Sequence, residues 1–303
     1  MTLASMGTRR KTILLVIVSI LAIVVIGVFF ALWNPTPPPV VPMPVPNGYT
    51  AIEQASTLVQ KQTWDYDKMD AATLRSIVDA NSNALQVARS GLAEKFRVPM
   101  EFSQTYISHH IQELAQLKTL AVAFVAEARL AELEQRTNDA AQAYVDATRL
   151  GIDSRQGGNV IDGLVGMALE AMGTFGLQKI APNLDEKKSA ELARQLETVA
   201  TDEDSWLQIR ENEKYWSRRA YPGLQYRATA LFRWRATKAE DVKIEKKFEA
   251  QQNSFRRLIL NLAAHAYELD KGHRPTNVAE LVPTYLKAEP IDARTGKAMT
   301  LTP

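Results

Sequence analysis

The sequence predicts a mainly α fold: an N-terminal transmembrane helix, a proline-rich spacer, an extracytoplasmic antiparallel helical bundle or tetratricopeptide-like array, and a small irregular C-terminal clasp with at most a short β-hairpin. Three observations predict it. Residues 12–33 carry no charge; seven of the fourteen prolines fall within 34–46. Between Asn47 and Arg274, apolar residues recur at steps of three and four rather than two, the period of a helix face. The expected divisions are a basic tip (1–11), the transmembrane helix (12–33), the linker (34–48), the helical domain (49–271) and the clasp (272–303).

The first element is "TILLVIVSILAIVVIGVFFALW". A run of roughly 20 apolar residues rising about 1.5 Å each matches a hydrocarbon core about 30 Å thick. Arg9, Arg10 and Lys11 precede it, so the positive-inside rule places the N-terminus in the cytoplasm, and Trp33 is set to anchor the far interface. A cleaved signal peptide is the rival reading, but "FFALWNPTPPP" is a poor cleavage site. The "RRK" lacks the rest of a twin-arginine signal. An uncleaved, single-pass anchor is therefore expected.

The linker "NPTPPPVVPMPVP" favours polyproline II at about 3.1 Å per residue, a spacer of up to roughly 40 Å. A ligand for an SH3-type domain is the sharper reading, and a spacer fits an extracytoplasmic segment better. Past it, helices are expected near 50–61, 70–96, 102–136, 138–150, 159–180, 185–200, 202–219, 224–236 and 239–271. Pro99, Pro182 and Pro222 fall between these patterns, where helix breakers belong. Ala140, Tyr144 and Ala147 are placed as in the second helix of a tetratricopeptide repeat, but no second copy follows at that period, and a plain helical hairpin accounts for them equally.

Seven glycines crowd "GIDSRQGGNVIDGLVGMALEAMGTFG" (151–176). A phosphate-cradling loop would need a Walker lysine or a preceding strand, and neither is present. The expectation is that Gly151 caps a helix, Gly157 and Gly158 turn the chain, and Gly163, Gly166, Gly173 and Gly176 let helices pack closely. Asp162 and Glu170 argue against a second membrane span.

Chemistry has few candidates. With no cysteine, disulfides, thiolate catalysis and Cys-ligated metals are excluded. His109 and His110 lie about 100° apart on a helix and cannot share a metal as an i, i+4 pair does. His265 and His273 read as structural. Thr201 and Asp204 in "TDEDSW" form a variant capping box, and serine-hydrolase signatures are absent. No catalytic residue, cofactor or metal site is expected, and the chain is read as a non-enzyme.

The net charge of +2 gives no global pull toward nucleic acid. Locally, residues 206–257 hold thirteen Lys/Arg against six Asp/Glu, with aromatics interleaved. The expected interaction surface is Arg218, Arg219, Trp216, Tyr221, Arg233, Trp234 and Arg235, suited to a protein partner or anionic lipid headgroups. The alternative is that these aromatics are core, with arginines flanking them. The predicted compartment argues against nucleic acid.

The clasp begins where Gly272 gives a left-handed cap and Pro275 prevents the helix from resuming. Asn277 and Glu280 start a short helix in capping-box fashion. Pro283 redirects the chain, Tyr285 and Leu286 anchor it, and Pro290 extends it. Asp292 to Gly296 are turn chemistry, and "KAMTLT" can form a short strand. The segment is expected to fold back and bury Leu281, Tyr285 and Leu286.

This order of residues resembles the region after the long helix of type II secretion pseudopilins. The matching positions include Tyr267, Leu269, Asp270, Gly272, Pro275, Leu281, Val282, Pro283, Tyr285, Leu286, Pro290, Asp292, Thr295, Gly296 and Lys297. Chain-wide, the anchor, spacer, "LVGMALEAM" body and tail resemble a group of uncharacterised bacterial membrane-anchored helical proteins. Gly7 followed by "TRRKTILLV" departs from a prepilin peptidase site, and the spacer interrupts the helix, so pilin-like polymerisation is not implied. The expectation is a bacterial inner-membrane protein whose extracytoplasmic helical domain scaffolds an envelope partner or a second copy of itself. The alternative is lipid or polysaccharide binding through residues 206–257.

Overall fold

The computed structural model describes residues 8–33, 41–60, 65–221 and 223–301, with side chains at all of these except 8–11, 30–33, 67 and 224–237. The basic tip up to Gly7 and linker residues 34–40 lie outside the described residues, as do the side chains of Arg9, Arg10, Lys11 and Trp33. Among the described residues the chain is mainly helical, without a strand: α1 (Thr8–Trp33), α2 (Gly48–Leu58), α3 (Ala71–Leu92), α4 (Tyr106–Leu133), α5 (Thr137–Asp153), α6 (Val160–Ile180), α7 (Glu186–Thr201), α8 (Trp206–Ala220) and α9 (Leu224–Lys271).

Helix α1 is long and apolar enough to cross a membrane, and none of Thr12–Phe29 is buried. The rest of the chain builds its own core. Helices α5 and α6 form an antiparallel hairpin whose backbones nearly touch. A methyl group at Gly166 would lie 2.5 Å from the Gly151 carbonyl oxygen, and one at Gly173 would overlap the Tyr144 carbonyl. Tyr144 itself packs its ring on Gly176. On one side of this hairpin Tyr49, Ile52, Leu85, Leu92, Leu117 and Phe124 close a core with α2, α3 and α4. On the other side Leu177, Leu192, Leu196, Phe255 and Leu262 close a second one with α7 and α9. Arg89 ties the first side together, its Nε donating to Asp146 at 2.7 Å and its Nη2 to Glu127.

Three expectations are corrected. The patterns at 224–236 and 239–271 belong to one 48-residue helix, because neither glycine nor proline interrupts "RATKAEDVK". Gly151 does not cap a helix; α5 runs through it to Asp153, and its missing side chain admits the Glu170 backbone. Thr201 ends α7, and Ser205 is the N-cap of α8, accepting from the Gln208 N–H at 3.2 Å.

The clasp turns back on the body. Gly272 caps α9 at φ 74°. Asn277 accepts from the Glu280 N–H at 3.3 Å while Glu280 accepts from the Thr276 N–H at 3.2 Å. The short helix is a single 3₁₀ turn, Val278–Leu281. Beyond Pro275 and Pro283 the chain returns to α7 and α9, where Leu281, Tyr285, Leu286 and Met299 are buried. The Pro290 carbonyl accepts from Met299, Asp292 accepts from the Arg294 and Thr295 N–H groups, and Gly296 takes φ 67°. The strand expected in "KAMTLT" is reduced to one antiparallel bridge, Ile291 to Ala298.

Candidate functional site

The segment joining α5 to α6, "SRQGGN", gathers the densest set of buried polar groups. Gly157 takes φ 73°, open to glycine at no steric cost. Asn159 then caps α6 in a full capping box with Asp162, whose Oδ2 accepts from the Asn159 N–H at 2.8 Å. Neighbouring elements pin the turn: the Val98 N–H donates to Gln156, the Gly157 N–H donates to Asp204, and Asn212 of α8 donates to the Gly158 carbonyl.

Arg155 projects from this turn into the core and is fully buried. Its Nη1 donates to Glu170 of α6 at 2.7 Å and its Nη2 to Glu203 of the α7–α8 turn. Its guanidinium also lies 4.9 Å from the centre of the Phe248 ring of α9. Gln251 donates to the other Glu170 oxygen at 3.2 Å. Burial disfavours the arginine's charge, but the two carboxylates outweigh it and hold it protonated. One guanidinium against two carboxylates leaves surplus negative charge in a dry interior. Burial accordingly pushes the Glu170 carboxyl well above the usual carboxylate range, and it pushes Asp153, beside the same turn, up to about 7.

A second knot lies on the same face of α6. His110 of α4 is 1% exposed, with Nε2 2.5 Å from Asp162 Oδ1 and Nδ1 2.7 Å from Glu113 Oε2. Its ring stacks on Tyr106 at 4.8 Å, and the Tyr49 hydroxyl of α2 donates to Glu113 at 3.2 Å. Burial alone would lower the imidazole's pKa; the hydrogen bonds and charges of Asp162 and Glu113 outweigh it and raise it. Carboxylates at both nitrogens favour the doubly protonated ring. Glu113, partly exposed, is where this knot meets solvent. These groups can hold protons and fix helices; among the described residues no three His, Cys, Asp or Glu are grouped to hold a metal ion.

The surface expected from residues 206–257 is only partly realised. Trp216 is in the core, its Nε1 donating to the Glu101 carbonyl at 2.8 Å and its ring tilted against Tyr106. Tyr221 packs edge-on to Trp216 and is half-buried, as is Arg218. Arg219 is exposed, lying over Phe102 at 4.5 Å and Tyr215 at 5.5 Å. Trp206 is buried against Phe248. The side chains of Arg233, Trp234 and Arg235 lie outside the described residues. The described tryptophans thus serve the core, because each sits on the inward face of α8, at the 206, 209, 216 and 220 positions that are all buried.

Arg155, Asp153, Glu203 and the pairing of His110 with Asp162 escaped the sequence reading. One signal was present: Asp162 and Glu170 stand among the apolar and small residues of α6, where buried carboxylates call for cationic or hydrogen-bonding partners. Comparison of the chain with protein-family models, with curated proteins and with solved structures returns no match.

Proposed function

We propose that this protein is a single-pass, membrane-anchored helical interaction protein of the bacterial cell envelope, with its helical body held outside the cytoplasm by the proline-rich spacer. The observation that carries the reading is α1. Eighteen successive residues, Thr12–Phe29, are apolar enough to span a bilayer and none of them is buried, while the body closes two cores without them. The basic residues in the first turn of α1, Arg9, Arg10 and Lys11, orient it. A body whose ionisable core groups bond one another across α4, α6 and the α7–α8 turn suits a rigid scaffold. The exposed apolar side chains of α6, Leu164 and Phe175 (42% and 72% exposed), offer such a scaffold a contact face.

The test is fractionation combined with crosslinking. Full-length protein is expected to stay with membranes after alkaline extraction, and deletion of residues 8–33 is expected to release a folded body. A photo-crosslinker at position 175 is expected to give one discrete adduct, with a second copy or another envelope protein. Release of the full-length chain by alkali would refute the anchor, and a lack of any adduct from position 175 would count against the scaffold.

A further inference from the structure

A cleft of about 490 Å³ opens where the C-terminal end of α7, the middle of α9 and the clasp meet. Four carboxylates line it, Glu197, Glu203, Glu289 and Asp292; Arg256 lies among them, and Arg155 pairs with Glu203 from the core. Arg256 donates to the Ile291 carbonyl at 2.6 Å. Glu197 accepts from the backbone N–H groups of Lys287 and Ala288, and Asp292 from those of Arg294 and Thr295. Those bonds hold the clasp in place without cancelling the negative charge.

Two lining residues have polar groups left over. Gln252 is 8% exposed, and its amide makes no hydrogen bond among the described residues. The Glu203 side chain is 1% exposed; its Oε1 accepts from Arg155, while its buried Oε2 has no donor among the described residues. Buried polar groups are ordinarily satisfied, so each exception calls for a cause. A carboxylate oxygen lacks a donor, and an amide offers both a donor and an acceptor.

We propose that this cleft binds a primary ammonium group, carried by a small free amine or by a lysine side chain. An ammonium brings three donors, and its charge is attracted by Glu197, Glu289 and Asp292, the lining carboxylates that Arg155 does not pair with. Ile259, Pro290 and Ile291 line the same cleft and suit the methylene chain of such a ligand. An anion would be repelled. A sugar would find no aromatic ring to stack on among the lining residues and would gain nothing from the charge. The bound group bridges the α7–α8 turn, α9 and the clasp, and so tightens the clasp against the body.

The experiment titrates the full chain in detergent micelles by calorimetry, with 1,4-diaminobutane, with Nα-acetyl-lysine amide, and with 1,4-butanediol as the uncharged control. Saturable binding of an amine, without binding of the diol and weakening with added salt, is expected. Binding of the diamine alone assigns the site to a free amine, and binding of the lysine derivative assigns it to a side chain. Gln252→Leu and Glu289→Gln remove lining groups outside the core ion pairs, and each is expected to weaken binding about tenfold while thermal unfolding shows the fold retained. Failure of both amines to saturate, equal affinity for the diol, or unchanged affinity in both variants overturns the proposal. Crosslinking from position 175 is independent of each of these results.

Discussion

Arg155 and Glu170 meet at 2.7 Å with both side chains fully buried, and Glu203 closes on the same guanidinium from the α7–α8 turn. A pair this dry is sensitive to losing one member, because the survivor keeps its desolvation cost without its partner. Arg155→Met is therefore expected to destabilise the fold by about 3–5 kcal/mol. Glu170→Gln, which keeps the shape and a hydrogen-bond acceptor, is expected to cost less. Adding Glu170→Met to Arg155→Met should recover part of the loss. Urea unfolding of the three variants measures the order, and an Arg155→Met midpoint equal to that of the parent would remove the network from the account of stability.

This network and the His110 knot make stability depend on pH in a defined direction. Asp153, Glu170 and His110 all have pKa values raised in the folded state. The fold therefore holds protons that the unfolded chain has released. Their contribution is complete below the unfolded values, near 4 for the acids and about 6.5 for the imidazole. For the acids it fades as pH rises toward about 7, where Asp153 titrates. For His110 it fades as pH rises past the ordinary imidazole value. The thermal midpoint is expected to fall by about 5 °C or more between pH 5.5 and pH 8.5. His110→Gln should flatten the upper part of that slope. A midpoint that rises over this interval would contradict the protonated, doubly paired ring.

Helix packing makes a separate prediction at Gly151. A methyl group there would overlap the backbone nitrogen of Glu170, and a backbone cannot swing aside as a side chain can. Gly151→Ala is thus expected to cost about 3 kcal/mol or to prevent folding, although alanine is the better helix former by about 1 kcal/mol. Gly223→Ala, which meets nothing within 4 Å, serves as the control. Circular dichroism melts of the pair compare a methyl added at a packed site with one added in open space.

These positions also show what the sequence discloses. The close-packing glycines and the clasp were legible because their signals are local: a period of three to four, a glycine cap, a capping box, a proline. Tyr285 and Leu286 could be named as anchors from spacing alone. Arg155 could not be, since "SRQGG" reads as a solvated turn and its burial depends on Glu170 and Glu203, 15 and 48 residues away. His110 finds Asp162 across 52 residues. Trp216 stood open between a surface and a core reading for a related reason: composition marks a basic, aromatic stretch, while only the docking of α8 decides which face turns inward. Partners that the fold brings together over long separations leave no trace in a single chain's spacing.

The clasp should respond to acid in the opposite sense to the core. The Tyr285 hydroxyl donates to Asp270 at 2.5 Å, and this bond, with that of Lys271, lowers the Asp270 pKa. Asp292 is lowered by the Thr295 N–H and Glu280 by Thr276. Groups depressed in the folded state add stability above their unfolded values, near 4, and lose it as pH falls through the folded ones. Hydrogen-exchange protection factors, referred to the intrinsic rate at each pH, are therefore expected to fall across residues 272–301 between pH 6 and pH 3, while the α5–α6 hairpin keeps its protection. Tyr285 supplies the apolar anchor as well as the donor, being 3% exposed and set edge-on to Tyr267. Tyr285→Phe should remove only the hydroxyl bond and shift the acid opening of the clasp. Tyr285→Ala should cost about 3–5 kcal/mol of clasp docking and expose the segment to protease at pH 7. Equal proteolysis of the two variants at neutral pH would mean that the hydroxyl bond, and not the buried ring, holds the clasp down.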